Sequence, residues 1–191
     1  MIRAKRKTTI TAKEELGVIA STGSTLIPGQ RTTPEYLTHL EEAVNATHNP
    51  VEYLSSDPGK ANGVCGYDAK YYLVFMLTIQ ADDMVMFLEQ FKKVKKFIVE
   101  DYLLYPNKAK DQTYSDMETP RVIGRIESWA ERHKVEVIKQ GAHIKSTGYA
   151  WIGEKPLPKS NKKNHELDAH VHFMYWAVRT GKINAVDLLK R

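Results

Sequence analysis

The order of elements along the chain predicts an α/β domain. Its core would be a five-stranded mixed sheet with the first three strands antiparallel and helices on both faces. Three observations carry this. Residues 51–80 hold three strand-like runs separated by turn signals. Residues 82–140 alternate helix-period segments with short apolar runs. An amphipathic segment beginning at Asn164 closes the pattern. Antiparallel strands followed by alternating helices and strands build a mixed sheet with helices packed on it.

Each element has a local reason. VEYLSS reads as a strand and ends in Asp57-Pro58-Gly59, a turn sequence. ANGVCGYDA and KYYLVFMLTI are two further strands around a turn at Asp68-Ala69. DDMVMFLEQFKKV places Met84, Phe87, Leu88 and Phe91 at helical core spacing. KFIVED is a short apolar run ending in acids, read as a buried strand. RVIGRIESWAERH turns Val122, Ile126, Trp129 and Ala130 inward on a helix, and VEVIKQ is the fifth strand. The segments LYPNKAKDQTYSDMETP and GAHIKSTGYAWIGEKPLPKSNKK are expected to be loops.

Residues 1–50 read as an extension ahead of a main domain spanning 51–191. The basic run RAKRK and the Ser/Thr/Gly/Pro-rich STGSTLIPGQRTTP precede one short helix, with Thr33 as cap and Pro34 at its first position. The start is basic but no apolar segment follows it, which is not the pattern of a secretory signal.

Composition narrows the class. The chain has 191 residues, 42% hydrophobic and 27% charged, ordinary for a compact domain. Its 28 Lys+Arg against 23 Asp+Glu give a net charge of +5, which permits a polyanionic partner without demanding one. No apolar run reaches the roughly 18 residues of a spanning helix, so no membrane role is expected. The single cysteine, Cys65, excludes an internal disulfide and suits a reducing compartment such as the cytoplasm. Within a strand, Cys65 reads as a small buried hydrophobe.

The chemistry concentrates in NHELDAHVHFMYW. On a helix, His165, Asp168 and His172 fall on one narrow stripe. Leu167, Val171, Met174 and Val178 form a second stripe, expected to pack. Asp57 closes one strand and Glu100 another. Singly, Asp57 is accounted for by its turn and Glu100 by a strand terminus. Jointly with the helix, three separated acids and a histidine are expected to converge on one site. Oxygen ligands of this kind favour Mg²⁺, with Mn²⁺ as substitute, over zinc. Paired ions held by fixed carboxylates suit phosphodiester hydrolysis.

These residues resemble the RuvC-like Holliday-junction resolvases of the RNase H-like superfamily, in particular the phage-type branch. The likeness lies in SSDPGKANGVCGYD, in IVEDYLLYPNKAKDQTYSDMETPRVIG and in NHELDAHVHFMYW, over roughly residues 51 to 180. The resemblance implies a metal-dependent, structure-selective endonuclease acting on branched DNA, a homodimer without a small-molecule cofactor, working in the host cytoplasm if phage-encoded. By position it implies metal-binding and catalytic roles for Asp57, Glu100 and Asp168. It places His165 as a further metal ligand or a proton carrier. His172 would stand behind the ligands and His170 would be structural.

Basic and aromatic residues suggest how DNA is held. Lys60 lies beside the Asp57 turn. Lys108, Lys110 and Tyr114 lie in one expected loop. Lys145, Trp151, Lys159, Lys162 and Lys163 lie in the other. Lysines contact phosphate without reading sequence, and aromatics stack on opened bases. Two rival readings follow from the same residues: a non-catalytic DNA-binding scaffold on the same fold, and a hydrolase using zinc on His165, Asp168 and His172.

Overall fold

The structure, a computed structural model, describes residues 50–103, 117–154 and 164–188. The helix expected after Thr33, most of the first basic loop (104–116) and the end of the second (155–163) lie outside these residues.

Five strands form one sheet: β1 Tyr53–Asp57, β2 Ala61–Tyr67, β3 Leu73–Gln80, β4 Lys96–Glu100 and β5 Glu136–Gln140, in the order β3-β2-β1-β4-β5. β1, β2 and β3 pair antiparallel, while β1, β4 and β5 run parallel. This is the mixed sheet that the sequence predicts, with the strand order of an RNase H-like fold. The helices are α1 Met84–Leu88, α2 Glu118–His133, α3 Lys145–Trp151, α4 His165–Arg179 and α5 Ala185–Leu188. Among the described residues no helix is long and apolar enough to cross a membrane.

Alternation along the strands divides the core in two. Leu54, Val64, Phe97 and Val99 face α1 and α2, where Phe87, Ile126 and Trp129 bury against them. Tyr53, Cys65, Tyr67 and Ile98 face the other way, under Ala169, Phe173, Trp176 and Ala177 of α4. Helices therefore cover both faces. The period of two in a strand also puts Asp57 on the α4 side with Tyr53, and Glu100 on the same side with Ile98. Both acids close parallel neighbours, so they emerge together at the carboxyl ends of β1 and β4. In open α/β sheets that edge is where ligands bind.

Three expectations change. The segment after β5 is not a loop throughout: Ala142–Ile144 form a 3₁₀ turn that runs into α3. The helix expected over 82–94 shortens to α1, because the chain must turn back for Lys95 N–H to donate to the Glu52 carbonyl as β4 begins. The packing stripe of α4 is also redistributed. Leu167 and Val171 pack against Ile144 and Tyr149 of the α3 region, whereas the sheet takes Ala169, Phe173, Trp176 and Ala177. The helix is sandwiched between two partners, so it needs two apolar edges.

Two glycines set how close the layers come. A Cβ at Gly63 would fall 1.7 Å from the His165 carbonyl oxygen, so a bare backbone on β2 lets the first turn of α4 settle on the sheet. A Cβ at Gly148 would fall 2.5 Å from Val171 Cγ1, the corresponding closeness of α3 to α4.

Candidate active site

Four elements meet at the carboxyl ends of β1 and β4. β1 delivers Asp57 and β4 delivers Glu100. The first two turns of α4 deliver His165, Asp168 and His172. Asn164 caps that helix by accepting from Leu167 N–H at 3.0 Å, which fixes where the first turn begins. The fourth element is α3, which contributes Lys145 and, one turn on, Tyr149.

Lys145 is the centre of the site. Its ammonium lies 2.9 Å from Asp57 Oδ1, 2.6 Å from Glu100 Oε2 and 2.9 Å from Asp168 Oδ2. Each pair of carboxylates is therefore within two hydrogen-bond lengths. The acids expected to converge do converge, and a cation stands at their common point. Burial opposes a charge on Lys145, but the carboxylates of Asp57 and Glu100 outweigh it and hold its proton more tightly than usual. Burial likewise works against the charge of Glu100, yet donation from His172 and the contacts with Asp57 and Lys145 prevail and lower it to about 2.

Each acid also has a partner of its own. His165 Nδ1 lies 2.6 Å from Asp57 Oδ2. The Tyr149 hydroxyl donates to Asp168 Oδ1 at 2.6 Å, and burial together with that carboxylate raises its pKa. His172 Nε2 lies 3.2 Å from Glu100 Oε2. The acids are recessed yet reachable, with side chains 10% exposed at Asp57, 18% at Glu100 and 19% at Asp168.

With Lys145 in place, no three acid or histidine side chains among the described residues form a ready metal cage. The carboxylates are ranged around the ammonium instead. The donor set nevertheless fits a hard divalent cation: oxygens from three rigid elements, held at a point that already accommodates positive charge. The zinc arrangement of His165, Asp168 and His172 is not assembled, because the two imidazoles address different carboxylates.

The remaining expected residues divide as follows. Lys60 is exposed just beyond the Asp57 turn. Lys145, expected on a DNA-contacting loop, is on a helix and inside the acid cluster. Trp151 stacks on Tyr175 with ring centroids 5.4 Å apart. Lys108, Lys110, Tyr114, Lys159, Lys162 and Lys163 lie outside the described residues. His170 Nδ1 lies 2.9 Å from the Tyr67 hydroxyl, away from the acids. Sequence reasoning reads Tyr149 as an aromatic of the basic loop rather than a partner of Asp168, and it does not find Gln140. The i, i+4 spacing of Lys145 and Tyr149 was the available signal for the first.

The fold is a five-stranded mixed sheet with RNase H-like strand order, and an acid cluster lies at the carboxyl edge of its parallel strands. No family model matches the chain, and no curated protein matches it. Among solved structures it is similar to Thermus thermophilus RuvC in complex with Holliday junction substrate, at 15% identity and a TM-score of 0.47 over 69% of this chain and 97% of that one. It is similar to a second Thermus thermophilus RuvC structure, at 15% identity and a TM-score of 0.44 over 68% and 96%. It is also similar to the yeast mitochondrial Holliday junction resolvase Ydc2, at 11% identity and a TM-score of 0.40 over 93% and 98%.

Proposed function

We propose that the chain is a divalent-metal-dependent endonuclease that hydrolyses phosphodiester bonds in branched DNA, Holliday junctions included. One observation carries the catalytic part: Asp57, Glu100 and Asp168, brought from three distant segments, aim their oxygens at one cation. Carboxylates assembled at such cost in repulsion suit a role in binding charge. The branched substrate comes from the resemblance of the sequence motifs at Asp57, Glu100 and the α4 helix.

Asp57, Glu100 and Asp168, with His165 beside Asp57, would hold Mg²⁺ or Mn²⁺. When bound, the ions supply Lewis acidity and a more acidic water. The protein's own groups do the rest. β1 and β4 fix two carboxylates rigidly, which matters because such catalysis is positional and electrostatic. His165 orients Asp57 and handles a proton at the leaving oxygen. Tyr149 orients Asp168. Lys145 keeps the three acids gathered and, with a divalent ion held by them, would offer its charge to the phosphate. Lys60 and the lysines of the two basic segments would position the DNA backbone. A two-fold pair of chains would deliver two coordinated cuts across a junction.

A scaffold reading has one observation in its favour: the Lys145 ammonium pairs with all three carboxylates. Cleavage assays on four-way, three-way, flap and linear duplex DNA, with and without Mg²⁺, separate the two. The nuclease reading expects Mg²⁺-dependent cutting of the branched forms. Junction binding without cutting in any divalent metal would favour the scaffold.

A further inference from the structure

His172 is the most deeply buried ionisable group at the site, 0% exposed. It lies one helical turn beyond Asp168, where the sheet-facing edge of α4 is otherwise Ala169, Phe173 and Trp176. An apolar side chain would fill that space without desolvating an imidazole. The imidazole is instead bonded at both ends. Nε2 meets Glu100 Oε2 at 3.2 Å, and Nδ1 meets Gln140 Oε1 at 2.9 Å. Glu100 and Gln140 are register partners at the ends of β4 and β5, so acid, amide and imidazole form one level across two strands and a helix.

The bonding has a fixed direction. A carboxylate only accepts, so Nε2 carries the proton and donates to Glu100. The Gln140 amide oxygen, 2.9 Å from Nδ1, holds the other end of the ring. Lys145 and His172 bind the same oxygen of Glu100. The His172 bond to that oxygen does not depend on Lys145.

We infer that His172 and Gln140 are positioning residues which lock the Glu100 carboxylate in its cation-binding orientation. The inference rests on the metal-binding reading of the acid cluster. Residues behind a metal ligand commonly change metal affinity about 10–100-fold when removed.

The test is calorimetric titration of Mn²⁺ into the full chain without DNA, alongside thermal unfolding to confirm folding. His172→Ala is expected to weaken Mn²⁺ binding by about tenfold or more. His172→Gln, whose amide can still donate to Glu100, recovers most of the affinity. Gln140→Ala, at the end of a strand and less exposed to folding failure, weakens binding to a lesser degree. Wild-type affinity in folded Gln140→Ala and His172 variants would overturn the positioning role and leave the metal site standing. A wild-type chain that binds no Mn²⁺ would overturn both.

Discussion

Lys145 Nζ and Glu100 Oε2 stand 2.6 Å apart, closer than Lys145 stands to Asp57 or Asp168. The pair joins the α3 helix to the end of β4. It puts an ammonium at the point that the proposed nuclease would fill with a divalent cation. The cluster is thus charge-compensated by Lys145, and the proposed function requires a divalent cation to take that place.

Replacing Lys145 by Met should expose this exchange. Without divalent ions, three recessed carboxylates lose their shared counter-charge, and the loss should be about 1–3 kcal/mol, since the group is only partly buried. Thermal unfolding in chelator should show the lowered midpoint. Added Mg²⁺ should restore more stability to the variant than it gives wild type. Equal Mg²⁺ responses would mean that Lys145 does not compete for the site.

Asp57→Asn should reduce cleavage of a four-way junction by about 10³-fold or more while leaving junction binding within a few-fold of wild type. The variant keeps its size and its place at the end of β1 but loses the charge facing Lys145 and His165. Gel-shift and cleavage assays on one preparation measure both quantities. Retained cutting would remove Asp57 from the mechanism.

Acid titration carries a signed expectation. Glu100 is lowered from 4.5 to about 2 in the folded chain. Its ionised form therefore stabilises the fold above the unfolded value, and this contribution disappears as pH falls through about 4.5 towards about 2. Glu100→Gln should lose stability near neutral pH, and its difference from wild type should close across that window. Denaturant unfolding at stepped pH reads it. A difference that stays constant with pH would contradict the pairing.

Gly63→Ala should damage the site without touching a charged residue. The added methyl meets the backbone of His165 and Glu166, which cannot step aside as a flexible side chain could. Overpacking of this kind costs about 1–3 kcal/mol. The accompanying shift of α4 should lower cleavage further than the stability loss alone explains. A variant with wild-type stability and activity would mean α4 has slack.

The strand ends and the α4 stripe were legible because they follow from periodicity: Asp57 and Glu100 terminate apolar runs, and His165, Asp168 and His172 share one edge. α3 was not legible. Its sequence KSTGYAW carries a glycine and a β-branched residue in seven positions, so little in it favours a helix locally. The close seat of Gly148 on Val171 supplies what propensity lacks. Without that helix, Lys145 reads as one more lysine for phosphate. Its burial among acids is a tertiary fact. So is the pairing of His172 with Gln140, residues far apart in the chain with no motif linking them.

Titration of Mg²⁺ or Mn²⁺ into wild type and into the Asp57→Asn, Glu100→Gln, Asp168→Asn triple variant tests the central claim most directly. Saturable binding in wild type, absent from a folded triple variant, is the predicted result. No binding in wild type, or equal binding in both chains, would contradict it.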